Sequence, residues 1–270
     1  MIIERQTPTG ILYFDDKTHR FWKMLGDKKK YYTSVTQYTG LIDKPGLKYW
    51  AVELMEDALL AKVYANQPIT ELDILQAAKL HEVRKQEAAD IGTKIHDWID
   101  AWINGKDPAM PEDPNVLTGI TSFLDYQREH KVKWLEGEQI TCSEVYGFAG
   151  KYDRKAIIDG KKYMVDFKSS NQLSEDYCFQ TMLYQIAEEE LSGEKFDGRL
   201  VLRFAKETEE EYLARMQKKN DKRAKLGKEL NEVKPYKVFE PMFYTETDKD
   251  RVAALGLIPA KNRLKELSTY

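Results

Sequence analysis

The stretch Gly147 to Ser170, GFAGKYDRKAIIDGKKYMVDFKSS, constrains the fold more than any other part of the chain. Two strand-like runs flank Asp159-Gly160, and a two-residue Asp-Gly connection predicts a type I′ hairpin, since both turn positions need positive φ. Setting Ile158 against Lys161 and counting outward places Asp153 opposite Asp166 and Lys151 opposite Lys168. Alternation then gathers Asp153, Asp166 and Lys168 on one face. It turns Tyr152, Ala156, Ile158, Tyr163, Val165 and Phe167 to the other, largely apolar face.

Facing carboxylates on a sheet lie about 5 Å apart at Cβ and repel. At an effective dielectric of about 20 the repulsion is on the order of 3 kcal/mol. A raised pKa, adjacent lysines or a bound cation must offset it. Mg²⁺ favours one or two carboxylates completed by water and substrate phosphate. Lys168 projects beside the same acids, where an ammonium orients or helps deprotonate water and stabilises a phosphate. The competing reading is a surface hairpin whose lysines merely neutralise the two aspartates.

Around the hairpin the sequence predicts a mixed α/β order. An N-terminal hairpin is expected over Ile11–Met24, then a short helix capped by Thr33 or Ser34 and ending near Gly40. Pro45 suits the first turn of the next helix. A long helical stretch from Thr70 to about Asn104 is expected to bend before Gly92, and a proline-rich loop separates it from another amphipathic helix. From about Lys133 the period turns strand-like, with strands at Trp134–Glu138, Ile140–Tyr146, Phe148–Ile158 and Lys162–Lys168. A helix over Leu173–Leu191, a strand at Arg199–Phe204, a charged helix over Thr208–Leu230, a strand at Val238–Tyr244 and a closing helix follow. The expectation is one α/β domain over residues 1–270, with a central mixed β-sheet flanked by helices. Its parts are a mostly helical portion (1–132), a catalytic sheet with its motif helix (133–205), and C-terminal helices with a strand (206–270).

Gly150-Lys151-Tyr152-Asp153 followed by Asp166-Phe167-Lys168 resembles the GxxD…DxK signature of PD-(D/E)XK nucleases. Two flanking motifs make the chain similar to the RecB-like exonuclease branch. Gly92 and His96 form GxxxH on a helix, and Gln180 and Tyr184 form QxxxY in the helix after the lysine strand. Alone, either motif is more readily structural. The Thr33-Ser34-Val35-Thr36 segment with Lys44-Pro45, Tyr49 and Trp50 also looks like the opening of phage-encoded and mitochondrial genome maintenance exonucleases.

The resemblance implies a restriction-endonuclease-like core and a metal-dependent DNA exonuclease used in recombination, replication or DNA processing. Its catalytic residues would be Asp153, Asp166 and Lys168. One or two Mg²⁺ or Mn²⁺ ions would be held by Asp153, Asp166, the Phe167 carbonyl and His96, whose imidazole is more comfortable with Mn²⁺. Glu144 resembles an upstream acid of related nucleases, with Glu138 as its rival. Gln180, Tyr184, Ser169 and Ser34 would touch substrate. An endonuclease of the same superfamily and a silent DNA-binding accessory are the alternatives. The expected partners are DNA ends and a recombination or single-strand-binding protein.

Bulk properties bound the remainder. The net charge of -3 gives no global nucleic-acid signature. The basic run from Arg215 to Lys228 follows Glu207 and Glu209–Glu211, the pattern of a solvated helix face. Cys142 and Cys178 form no CxxC pair, which argues against zinc or an iron–sulfur cluster. No segment approaches the roughly 20 apolar residues of a membrane span, so a soluble, cytoplasmic protein is expected.

Overall fold

A computed structural model describes residues 1–268 of the chain. It opens with four strands, β1 (Ile2–Thr7), β2 (Gly10–Asp15), β3 (Arg20–Leu25) and β4 (Lys28–Ser34). Helices α1 (Val35–Thr39), α2 (Pro45–Tyr64), α3 (Glu71–Ile103) and α4 (Pro114–Glu129) follow. Next come β5 (Val132–Trp134), β6 (Gln139–Ser143), β7 (Phe148–Tyr152), β8 (Arg154–Ile158) and β9 (Lys161–Lys168). The remainder is α5 (Asp176–Ser192), β10 (Gly198–Phe204), α6 (Glu209–Lys225), β11 (Phe239–Tyr244) and α7 (Thr247–Leu267). The mixed α/β class holds. The N-terminal portion, expected to be mostly helical, begins instead with a four-stranded meander.

The strands form two mixed sheets rather than one. The first has six strands in the order β1-β2-β3-β4-β7-β6, and the second five in the order β11-β10-β9-β8-β5. One parallel pairing, β4 with β7 and β9 with β10, makes each sheet mixed. The chain also separates into two compact units, residues 42–94 and the rest, where a single domain was expected. Within the smaller unit Pro45 opens α2 at its first turn, and Lys62 pairs with Asp73 at 2.7 Å. α3 is one uninterrupted helix, so the bend expected before Gly92 is not there.

Local chemistry explains where the other elements start and stop. Asp113 caps α4 by accepting the N–H groups of Asn115 and Val116. Thr208 and Glu211 close a reciprocal capping box at α6. Asp159 and Gly160 adopt φ of 50° and 81°, the left-handed pair a type I′ turn requires.

In the larger unit α5 is packed among buried residues of both sheets. Its Met182, Leu183, Tyr184, Ile186 and Ala187 bury against Val35, Phe148, Tyr152 and Met164. The inner face of the meander buries Leu12, Phe14, Phe21 and Tyr32 with Ile140, Cys142 and Ala149. A bidentate pair from Arg5 to the fully buried Glu188, at 2.7 and 2.8 Å, ties β1 to α5. An aromatic cluster of Phe123, Trp134, Phe167 and Phe204 involves α4 and the second sheet. Among the described residues, no helix is long and apolar enough to cross a membrane.

Candidate active site

The site forms where one run of chain changes sheets. Phe148–Ile158, expected as a single strand, is split at Asp153. β7 ends with Tyr152 paired to Gln139 in the first sheet, and β8 begins with Arg154 paired to Val165 in the second. The hairpin register is the expected one, Ile158 against Lys161 and Arg154 against Val165. Extending it by one residue sets Asp153 across from Asp166. It does not extend to Lys151, which pairs with Ile140 and sends its ammonium to Glu138 at 2.6 Å. The expected pairing of Lys151 with Lys168 is therefore corrected: two residues past the switch, the strand belongs to another sheet. Tyr152 changes sides for the same reason and packs with Met164 and α5.

Because Asp153 stands between two ladders, its side chain takes over a ladder's role. The Phe167 N–H donates to Asp153 Oδ2 at 2.7 Å. Across from it, Asp166 is 2% exposed, and its Oδ2 has no hydrogen-bond partner. Lys168 Nζ lies 2.5 Å from that oxygen, an ion pair that misses hydrogen-bond directionality. Burial pushes the Asp166 carboxyl up to about 6, against the pull of Lys168 and with the push of Asp153. Burial also disfavours the Lys168 charge, but Asp166 and Asp153 outweigh it and hold the amine well above its ordinary value. Lys168 is therefore an ammonium at neutral pH, suited to hold an anion or orient water rather than to remove a proton.

His96, near the C-terminal end of α3, places Nδ1 3.9 Å from Asp153 Oδ2. That is within ion-pair range and beyond a hydrogen bond. Its ring stands edge-on to Phe167 at 6.0 Å. On α5, Tyr177, Gln180 and Tyr184 recur at helical spacing and share a face. Lys168 Nζ sits 5.0 Å from the centre of the Tyr177 ring. Gln180 Nε2 donates to Tyr184 Oη at 2.9 Å. Burial first, then the Asp166 charge, pushes the Tyr184 phenol up, so it stays protonated. Gln180 and Tyr184 were expected to face substrate; both are buried and bonded to each other, and Tyr184 also borders a groove. Gly150 is fixed by the same tyrosine: a Cβ there would run into the Tyr184 ring and Val35.

The other expected residues scatter. Ser34 precedes α1, its hydroxyl 3.1 Å from that of Thr36, and it borders the groove with Tyr184. Ser169 follows Lys168 in the loop before α5, half-buried. Glu144 lies in the turn after β6, and its carboxylate is taken up by Lys23 at 2.6 Å, Lys30 at 2.9 Å and Tyr32. With both oxygens committed there, Glu144 is removed from the expected metal ligands. Glu138 is equally engaged, with Lys151.

Among the described residues, no three His, Cys, Asp or Glu side chains are gathered as a ready metal cluster. The donor chemistry that remains is two carboxylates, one with an oxygen lacking a hydrogen bond. This fits a hard cation that completes its shell with water and phosphate better than one needing an all-protein cage. Tyr177 was missed in the sequence, although its position three residues before Gln180 would have found it.

The sequence matches no family model and no curated protein.

Proposed function

We propose that this chain is a divalent-metal-dependent nuclease that hydrolyses phosphodiester bonds of DNA, acting at strand ends. The observation that carries the reading is the buried Asp166 oxygen without a hydrogen bond, beside Asp153 and the ammonium of Lys168. A structural hairpin has no use for such an oxygen, since a buried polar atom left without a partner costs about 1–3 kcal/mol. Asp153 and Asp166 would hold the cation, with the Phe167 carbonyl and His96 as further donors by resemblance to RecB-like nucleases. A cation bound there would polarise the phosphate and neutralise the paired acids.

The protein's own groups do the rest. The Phe167 N–H locks the Asp153 carboxylate in place before substrate arrives. Lys168 presents its charge to a non-bridging phosphate oxygen or to the attacking water. In the reaction water adds to phosphorus, one P–O ester bond breaks, and the leaving oxygen takes up a proton. The Tyr177 ring beside Lys168 limits how far the ammonium strays from the acids. The preference for ends comes from the RecB-like resemblance.

End-labelled linear DNA and circular DNA, incubated with Mg²⁺, Mn²⁺ or chelator, test the reading. Metal-dependent release of nucleotides from linear DNA, lost in Asp166→Ala and Lys168→Ala, is expected. Cutting of circles would replace the exonuclease by an endonuclease. Binding without cleavage under either metal would leave a DNA-binding accessory.

A further inference from the structure

The meander and α1 border a groove of about 210 Å³ that the hydrolytic centre does not use. Phe14, Phe21 and His19 line one part of it, Ser34 and Thr36 another, and Gly150 and Tyr184 a third. The geometry points to this groove as the seat for one unpaired nucleotide of the strand being cut. The inference rests on the nuclease reading and deepens it, because it makes the substrate single-stranded at the site.

Three observations support the seat. The first is continuity with the centre. Tyr184 borders the groove, and the charges of Asp166 and Lys168 act on its phenol. Gly150 precedes Asp153 by three strand residues, about 10 Å of extended chain. A strand with its phosphate at Asp153 thus reaches the groove with a neighbouring nucleotide. The absence of a side chain at residue 150 lets Tyr184 stand against the strand there.

The second is lining chemistry. The Phe14 and Phe21 rings stack at 4.4 Å, and His19 lies 6.0 Å from Phe14. Aromatic surface of this kind holds a base through its π-face whatever the sequence. The Ser34 and Thr36 hydroxyls add polar contacts for a base edge or a phosphate. Lys151 sits 5.6 Å from the Phe14 ring and brings a cation to the rim, balanced by Glu138. Three β2–β3 residues, far from Gly150 in sequence, thus converge on the stretch next to Asp153.

The third is size. The groove is smaller than the roughly 300–1,000 Å³ of drug-sized pockets. One ring system fits, whereas a base pair carries a second base and a second backbone that the walls have no space for. The partner strand must be absent at this position.

Binding is read by fluorescence anisotropy of a short labelled single-stranded oligonucleotide and of the same sequence as blunt duplex, with Ca²⁺ replacing Mg²⁺. The wild-type chain is expected to bind the single strand more tightly. Thr36→Trp fills the groove from its exposed rim and should weaken single-strand binding roughly tenfold, the lower range for one stacked base. Duplex binding should be unchanged. His19→Ala, at an exposed turn, should weaken single-strand binding in the same direction and covers the case in which the tryptophan variant does not fold. Equal wild-type affinity for the two forms, or folded variants that bind the single strand normally, would overturn the seat. Cleavage reports separately: groove-dependent binding with no hydrolysis under Mg²⁺ or Mn²⁺ sinks the nuclease reading and keeps the seat. Normal hydrolysis with insensitive groove variants does the reverse.

Discussion

The carboxylate of Asp153 accepts the backbone N–H of Phe167, at 2.7 Å, at the point where the chain leaves one sheet and enters the other. The same side chain thus anchors a strand and stands beside Asp166. The two roles separate by substitution. Asp153→Asn keeps an oxygen acceptor for the Phe167 N–H and removes the charge. It should unfold within about 1 kcal/mol of wild type, as one retained neutral hydrogen bond implies, while metal-dependent cleavage falls at least roughly a hundredfold. Asp153→Ala strands the N–H and should cost about 1–3 kcal/mol in addition. Urea denaturation and cleavage assays on both variants check this; equal stability losses would remove the anchoring role.

Gly150 and Tyr184 form a second coupled pair, since a Cβ at residue 150 meets the tyrosine ring. Gly150→Ala should destabilise by about 1–3 kcal/mol through overpacking. Shrinking the ring in the Gly150→Ala/Tyr184→Leu double variant should return part of that loss. The cycle is read by chemical denaturation, and strict additivity would show that the clash is relieved elsewhere.

These two pairs also mark how far the sequence could be read. The Asp159-Gly160 turn sets the hairpin register by itself, because positive φ at both positions admits few alternatives. The register holds through Arg154 and fails at Lys151, since a break between sheets carries no local signature when both sides read as strand. The meander was half legible: β2 and β3 alternate cleanly, whereas β1 and β4 are rich in charged residues that gain strand partners only from neighbours. Glu144 was misjudged on the same ground. Nothing near it in sequence announces Lys23, Lys30 and Tyr32, which arrive from strands more than a hundred residues earlier. Tyr177 was within reach of helical periodicity alone.

Glu144 gives a pH prediction of definite sign. Burial opposes its charge, but bonds from Lys23, Lys30, Tyr32 and Thr9 prevail and hold the carboxyl down at about 2. A depressed folded-state value means that the unfolded chain binds the proton more readily. The stabilising contribution is therefore complete above the ordinary carboxylate range near 4.5 and is lost as pH falls toward about 2. Glu144→Gln should be less stable than wild type at neutral pH, and the gap should close across that acid window. Thermal midpoints measured for both proteins over the acid range check it; a gap independent of pH would assign the loss to packing.

The last prediction concerns the metal and needs no substrate. In the protein alone, burial and the Asp153 charge raise the Asp166 carboxyl, a sign that the folded site disfavours two negative charges. A group raised on folding binds protons more tightly in the native state, so stability falls as pH rises from the ordinary carboxylate value to about 6. A divalent cation placed between the acids reverses that deficit. It stabilises the folded state by RT ln(1 + [L]/Kd), about 2.7 kcal/mol at a hundredfold excess over Kd. Mg²⁺ or Mn²⁺ should therefore raise the unfolding midpoint above pH 6, and chelator should abolish the increment. Asp166→Asn removes a charge the metal requires and should erase the response while folding normally without metal. Calorimetry with and without Mg²⁺ reads both proteins. A wild-type midpoint indifferent to Mg²⁺ and Mn²⁺ would leave the paired acids with Lys168 as their only counterion and end the hydrolytic reading.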